Sequence, residues 1–205
     1  LDEPLAALDK KLREDTQFEL VDIQERLGTT FMVVTHDQEE AMTLAGRIGI
    51  MDNGRLVQVD SPRTLYENPK NRFVADFLGM ISFVEGRVTK ATSTALVIDS
   101  TPPITAAIDQ QRGLASQPEK GAQVTLAIRP EKISLSAVAT GAVNEIPVIV
   151  EDLAYLGVAS NYRVKTADGQ MFKLQQQQSR RASKPLEWGD AGFIQFDPAD
   201  VIILP

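Results

Sequence analysis

The chain has 205 residues, 43% of them hydrophobic, with no cysteine and a formal net charge of −7 from 21 Lys+Arg against 28 Asp+Glu. That length and apolar content suffice for one large or two small domains with a real core, and exclude wholesale disorder. Without cysteine there are no disulfides, thiolate zinc sites or Cys nucleophiles, and the acidic balance argues against nucleic acid as the main partner.

No apolar run reaches the roughly 20 residues that a membrane-spanning helix needs. The first residues, LDEPLAALDKK, lack the basic-then-apolar layout of a signal peptide. The chain opens on Leu1-Asp2-Glu3 rather than methionine, which reads as a cut inside an element.

Residues 1–79 alternate helical and strand patterns. Leu12, Leu20, Ile23 and Leu27 form one stripe of a helix over Lys10–Leu27, about 27 Å long at 1.5 Å per residue. Gly28 is suited to end it in the left-handed conformation. Thr29–Thr35 is a β-branched and apolar run, expected as a strand buried on both faces. A helix over Gln38–Ala45 follows, then strands Arg47–Met51 and Arg55–Val59 around the turn formers Asp52-Asn53-Gly54. Ser61-Pro62 caps a short helix through Tyr66, and Asn71–Leu78 forms another, closed by Gly79. This order implies an α/β domain with a mainly parallel sheet. Leu12, Leu20, Ile23, Met42 and Phe73 are expected in its core.

From about Met80 short strands succeed one another: Phe83–Thr89, Ala95–Asp99, Ile104–Ile108, Val124–Ile128, Val148–Leu153, Tyr162–Thr166, Gln170–Leu174, Gly192–Phe196 and Val201–Leu204. Gly, Pro, Asp and Asn punctuate them, the signature of a small β-barrel domain. The run Gln175–Gln178 reads as a polar strand end or loop, and no long-period repeat is visible.

Two strings carry chemistry. In Leu1-Asp2-Glu3-Pro4, adjacent carboxylates at a strand end suit metal-assisted phosphoryl transfer, one holding Mg²⁺ and the other orienting or deprotonating water. In Val33-Val34-Thr35-His36-Asp37, the sole histidine ends the expected strand, at the sheet edge where open α/β folds hold ligands. Taken singly, the first string reads as a solvated turn and the second as a satisfied surface histidine before either reads as chemistry.

Together, and in order, they resemble the ATP-binding subunits of ABC transporters. The acidic pair matches the end of the Walker B motif, Ala7-Leu8-Asp9 the D-loop, and His36 the switch histidine about thirty residues on. Gln38-Glu39-Glu40-Ala41-Met42, Asp52-Asn53-Gly54-Arg55 and the importer-type string Ser61–Pro69 continue the match. Ile128-Arg129-Pro130-Glu131, Tyr155-Leu156-Gly157 and Asp168-Gly169 resemble marks of the TOBE domain, an OB-like barrel of importer ATPases. Val21–Gly28, Asp37–Ile48 and Trp188-Gly189-Asp190 look most like the polyamine (putrescine/spermidine) importers.

The resemblance implies a C-terminal P-loop NTPase remnant over 1–79 and an OB-like (TOBE/MOP-like) regulatory barrel over 80–205. It implies ATP and Mg²⁺ as cofactors, with Asp2 holding Mg²⁺ through water and Glu3 as general base or water-orienting carboxylate. Asp9 would reach across a nucleotide sandwich between two subunits, and His36 would bind the γ-phosphate. The implied partners are a second copy of the chain, transmembrane permease subunits and, indirectly, a periplasmic polyamine-binding protein, at the cytoplasmic face of a bacterial inner membrane.

The phosphate-cradling G-x-x-x-x-G-K-[ST] loop and the signature motif are absent from these 205 residues, so this stretch alone is expected to be inactive. Residues 1–60 are expected to be poorly ordered, rearranged or paired with a second copy, because the strand over 31–34 lacks neighbours. The alternatives are a small-ligand-sensing or dimerising module built on the barrel, or an importer of iron, sulfate or sugar. The Arg180, Arg181 and Lys184 cluster reads as a solvated loop.

Overall fold

The computed structural model describes residues 1–100, 102–108, 117–177 and 185–204. Arg180, Arg181 and Lys184 lie outside the described residues, as does Gln178. The chain forms two compact units, one of residues 1–67 and 77–79, the other of 68–76 and 80–205.

In the first unit, α1 spans Lys10–Leu27, with Asp9 as N-cap and Gly28 closing it at φ 59°. The Asp9 carboxylate accepts the Leu12 N–H at 3.0 Å, satisfying one of the donors a helix start leaves open. Asp37 does the same for α2 (Gln38–Leu44), accepting from the Glu39 and Glu40 N–H groups. Strands β1 (Ile48–Asp52) and β2 (Arg55–Asp60) pair antiparallel. The two-residue turn between them puts Asn53 at φ 48° and Gly54 at φ 74°, both left-handed, as a twisted hairpin requires. Ser61 Oγ accepts the Thr64 N–H at 3.2 Å to start α3 (Pro62–Glu67).

Two expectations for this unit fail. The run Thr29–Thr35 forms no ladder; it contributes a single parallel bridge, Val34 to Asp2, and Met32 and Val34 are exposed. A parallel strand is stable only with neighbours and covering layers on both sides, and among the described residues only Leu1–Glu3 lies beside it. No parallel sheet forms among the described residues. Nor does the apolar stripe of α1 become core. Leu12, Ile23 and Leu27 stay exposed, as does Phe73, while Leu20 and Met42 are half-buried. Leu20, Phe31, Val33, Ala41, Ile48 and Leu56 instead line an open apolar groove of about 890 Å³.

The second unit is a double sheet. In chain order its strands are β3 (Ser82–Ala91), β4 (Ala95–Asp99), β5 (Ile104–Ala107), β6 (Gln123–Ile128), β7 (Ser134–Ser136), β8 (Asn144–Tyr155), β9 (Ala159–Lys165), β10 (Met171–Gln177), β11 (Ala191–Phe196) and β12 (Ile202–Leu204). They form two five-stranded antiparallel sheets, β12-β6-β3-β4-β5 and β7-β11-β8-β9-β10. Inward residues of both sheets, including Val84, Leu96, Leu126, Ile146, Val164 and Phe172, make one core. Helix α4 (Arg72–Phe77) contributes Ala75, which packs with Ile81, Ala127 and Leu204. Each expected strand is present. Only β7 was missed, because Ser-Leu-Ser offers one apolar residue and no alternation to read.

The two sheets are the same structure twice, contrary to the sequence reading that found no repeat. Strands β3 to β7 and β8 to β12 take identical roles, and each half sends its fifth strand into the other half's sheet. The register agrees in detail. Ser82 opposes Ile128 as Asn144 opposes Phe196. The first hairpin of each half carries a bulge at the same place, after Val88 and after Val150. The Gly121 N–H bonds the Val88 carbonyl at 2.8 Å, and the Gly189 N–H bonds the Val150 carbonyl at 2.8 Å. Short 3₁₀ turns at Pro130–Lys132 and Pro198–Asp200 lead into the exchanged strands.

One side-chain device closes the unit twice. Buried Asn144 accepts the Thr105 N–H and donates to the Thr105 carbonyl, both at 2.8 Å, standing in for a strand partner. At the equivalent place, buried Ser82 accepts the Lys173 N–H at 2.9 Å and donates to the Lys173 carbonyl at 3.5 Å. Each half thus satisfies the backbone of the other's third strand, which would otherwise be left unpaired at the sheet edge.

Candidate functional site

The first unit gathers the polar residues singled out from sequence. The Leu1 amino group donates to the Met32 carbonyl at 2.7 Å, Val34 N–H to Leu1 O at 2.9 Å, and Glu3 N–H to Val34 O at 2.8 Å. These bonds lay the acidic pair beside the segment that ends in His36. Glu3 holds φ 41°, an uncommon conformation for a side chain-bearing residue. Its carboxylate Oε1 then lies 2.7 Å from His36 Nδ1, although the two are 33 positions apart.

An ionised carboxylate only accepts, so this contact places a proton on Nδ1 and turns Nε2 outward, an acceptor in the neutral ring and a donor in the imidazolium. Both side chains are substantially exposed, the imidazole at 77% and the carboxylate at 49%, so an incoming phosphate oxygen or water can reach either. Asp2 is exposed and sits on the same bridge, opposite Val34. Asp9 is occupied as the cap of α1.

Behind this pair lies a polar network that sequence reasoning missed. Thr35 Oγ1 donates to Glu40 Oε2 at 2.7 Å and accepts the Asp37 N–H at 3.0 Å. Arg13 donates from one guanidinium nitrogen to Asp37 Oδ2 at 2.7 Å and from the other to the Leu8 carbonyl at 3.1 Å. Its Nε lies 4.0 Å from Glu40 Oε1, and Glu40 is buried. The one available signal was the spacing Asp37-x-x-Glu40, a capping-box pattern. Arg13, in an otherwise amphipathic helix, gave none.

Asp2 and Glu3 offer the carboxylate oxygens that suit Mg²⁺ and water, and His36 a nitrogen that suits a phosphate oxygen. Among the described residues no three metal-ligating side chains cluster. A Mg²⁺ held by Asp2 through its water shell would take its remaining ligands from phosphate and water oxygens.

Fold and sequence comparison agree on the β unit, which contains a TOBE domain. Residues 126–204 match the TOBE domain family. Along its whole length the chain is related to the C-terminal portion of polyamine-import ATP-binding proteins. It is 42% identical over 208 residues to the putrescine transport ATP-binding protein PotG of Escherichia coli, an alignment covering 100% of this chain and 54% of that protein. It is 39% identical over 204 residues to the spermidine/putrescine import ATP-binding protein PotA of Rubrobacter xylanophilus, covering 100% and 52%. The chain therefore spans about half the length of the curated relatives it matches.

Among solved structures it resembles the cytoplasmic molybdate-binding protein ModG, with TM-score 0.51 and 15% identity over 60% of this chain and 95% of that one. This likeness establishes the fold of the β unit and nothing about its ligand. Among the described residues no helix is long and apolar enough to cross a membrane.

Proposed function

We propose that the chain is the C-terminal part of the ATP-hydrolysing subunit of an ABC importer for polyamines such as putrescine. In this reading residues 1–79 end the P-loop ATPase domain and residues 80–205 form its regulatory barrel. The contact of Glu3 with His36 carries the proposal, supported by 42% identity to a putrescine transport ATP-binding protein.

The roles follow from the chemistry of the groups. The Glu3 carboxylate takes a proton from, or aligns, the water that attacks the γ-phosphate. His36, as an imidazolium, donates Nε2–H to a γ-phosphate oxygen while its Nδ1–H is held by Glu3. Asp2 would hold the water shell of a Mg²⁺ ion, which would supply positive charge to neutralise the phosphates. Asp9 faces a second copy of the subunit across the nucleotide. The apolar groove lined by Leu20, Phe31 and Leu56 is covered by the remainder of the ATPase domain, which also supplies the phosphate cradle.

Partners are that second copy, permease subunits in a bacterial inner membrane against whose cytoplasmic face the protein sits, and indirectly a periplasmic polyamine-binding protein. The test is uptake. In a strain lacking the gene, the complete gene restores labelled-putrescine accumulation, and the same gene carrying Glu3→Gln does not. Equal uptake with both genes contradicts the proposal.

A further inference from the structure

The catalytic pair sits on two loops that have no sheet between them to fix their spacing. Glu3 belongs to the loop Leu1–Asp9, whose ladder with residues 32–34 is one bridge long. His36 lies between that bridge and α2, exposed, with Glu3 as its one side-chain hydrogen-bond partner among the described residues. Something else must hold the two loops at a constant distance.

We infer that Arg13 is that element: a positioning residue that ties the loop following Glu3 to the segment carrying His36. The inference rests on the functional reading above. The guanidinium has two arms at fixed geometry, and here they are divided. One takes the Leu8 carbonyl at 3.1 Å, directly before Asp9; the other takes Asp37 at 2.7 Å, directly after His36.

Asp37 cannot move alone. Its second carboxylate oxygen caps α2 through the Glu39 and Glu40 N–H groups at 2.8 and 3.2 Å. Its own N–H is held by Thr35, on the other side of His36. His36 is therefore clamped at both neighbouring residues. The clamp is tied through Arg13 to the loop that a second subunit would meet at Asp9. Side chains of Arg13 and Asp37 are 30% and 25% exposed and Glu40 is 2% exposed, so this pair is shielded more than an ordinary surface ion pair.

A lysine at position 13 keeps the charge and loses the fork, so it can hold one end at a time. Loss of the fork frees His36 from Glu3 without removing any group that touches nucleotide. A displacement of about 1 Å at a reacting group costs up to a hundredfold in rate.

The experiment uses the complete ATP-binding protein and this chain in parallel. In the complete protein, ATP turnover is measured for the parent, Glu3→Gln, His36→Ala, Arg13→Met, Arg13→Lys and the double variant Arg13→Met/His36→Ala. Arg26→Met, which loses only the exterior pair with Asp22, is the control. The expected result is a kcat about tenfold to a hundredfold lower in Arg13→Met. KM for ATP stays within about twofold, Arg13→Lys falls between, and the double variant is no slower than His36→Ala alone.

In the 205-residue chain the single histidine gives one ring signal by NMR. It shifts in Arg13→Met and stays put in Arg26→Met. If Arg13→Met fails to fold, Arg13→Lys carries the same comparison, alone and combined with His36→Ala. Losses that multiply in the double variant, or an unmoved ring signal, overturn the role of Arg13 while leaving the ATPase reading intact. A complete protein whose turnover ignores both Glu3→Gln and His36→Ala overturns that reading and this inference with it.

Discussion

Lys132 and Asp200 occupy equivalent positions in the two repeats of the β unit, each closing the 3₁₀ turn before an exchanged strand, and they pair with one another at 2.8 Å. The local axis relating the repeats passes between them. A strictly repeated sequence would set two like charges there and repel. The substitution of lysine for aspartate in one copy turns that meeting into attraction. Because both side chains are partly exposed, at 47% and 28%, a coupling of only about 0.2–1 kcal/mol is expected from a double-mutant cycle in urea. Lys132→Asp alone, which restores the like-charge meeting, is more destabilising than Lys132→Ala.

The two closing side chains, Asn144 and Ser82, predict a larger effect. Asn144→Ala leaves both the N–H and the carbonyl of Thr105 without their partner in a part-buried place, where each lost bond costs about 1 kcal/mol or more. Ser82→Ala removes one good bond at 2.9 Å and one long one at 3.5 Å. Urea unfolding of the full chain, followed by circular dichroism, orders the two variants with Asn144→Ala the less stable.

Gly86 answers a packing demand rather than a backbone one. A Cβ there meets Ile98 Cγ2 at 2.3 Å and the Asp99 carbonyl at 2.8 Å. Backbone cannot yield as a side-chain tip can, so Gly86→Ala is destabilising by about 1–3 kcal/mol. The effect reads as a lower Tm with an unchanged sheet signature below the transition.

Acid sensitivity follows from Glu145. The Thr140 N–H at 2.6 Å leads the bonds that hold its carboxyl below the ordinary 4.5, over a smaller opposing effect of desolvation; the Thr140 hydroxyl and Gly141 N–H add to it. The folded form resists protonation while the unfolded chain takes up the proton. The stabilisation is therefore complete above the ordinary value and is lost as pH falls from there through the folded value. Asp168 adds in the same direction, its carboxyl lowered first by the Thr166 hydroxyl. Glu145→Gln flattens the decline of Tm below about pH 5, and a decline as steep as the parent's contradicts this.

What was legible in the sequence was local. Alternation along Val84-Glu85-Gly86-Arg87-Val88 or Tyr162-Arg163-Val164 marks a half-buried strand whatever it pairs with. Asn53-Gly54 marks a tight hairpin because few other pairs accept two left-handed residues. The repeat was not legible, because a sheet demands inward and outward alternation rather than particular residues. Ile128 and Phe196 fill one position, Ser82 and Asn144 another. Thr29–Thr35 misled for the opposite reason: its residues suit a buried parallel strand, but a strand is a property of its neighbours. Glu3 and His36 were found through their resemblance to known motifs. Arg13 lay in plain view on a helix where an arginine ordinarily faces solvent, and only coordinates show its two arms divided between loops.

The carboxylate at position 3 is the group on which hydrolysis depends. The decisive measurement is single-turnover ATP hydrolysis by the complete protein carrying Glu3→Gln, with bound nucleotide assayed on the same sample. A drop of about a hundredfold or more in the hydrolytic rate with ATP still bound is the expected result. Hydrolysis at the parental rate by that variant contradicts it.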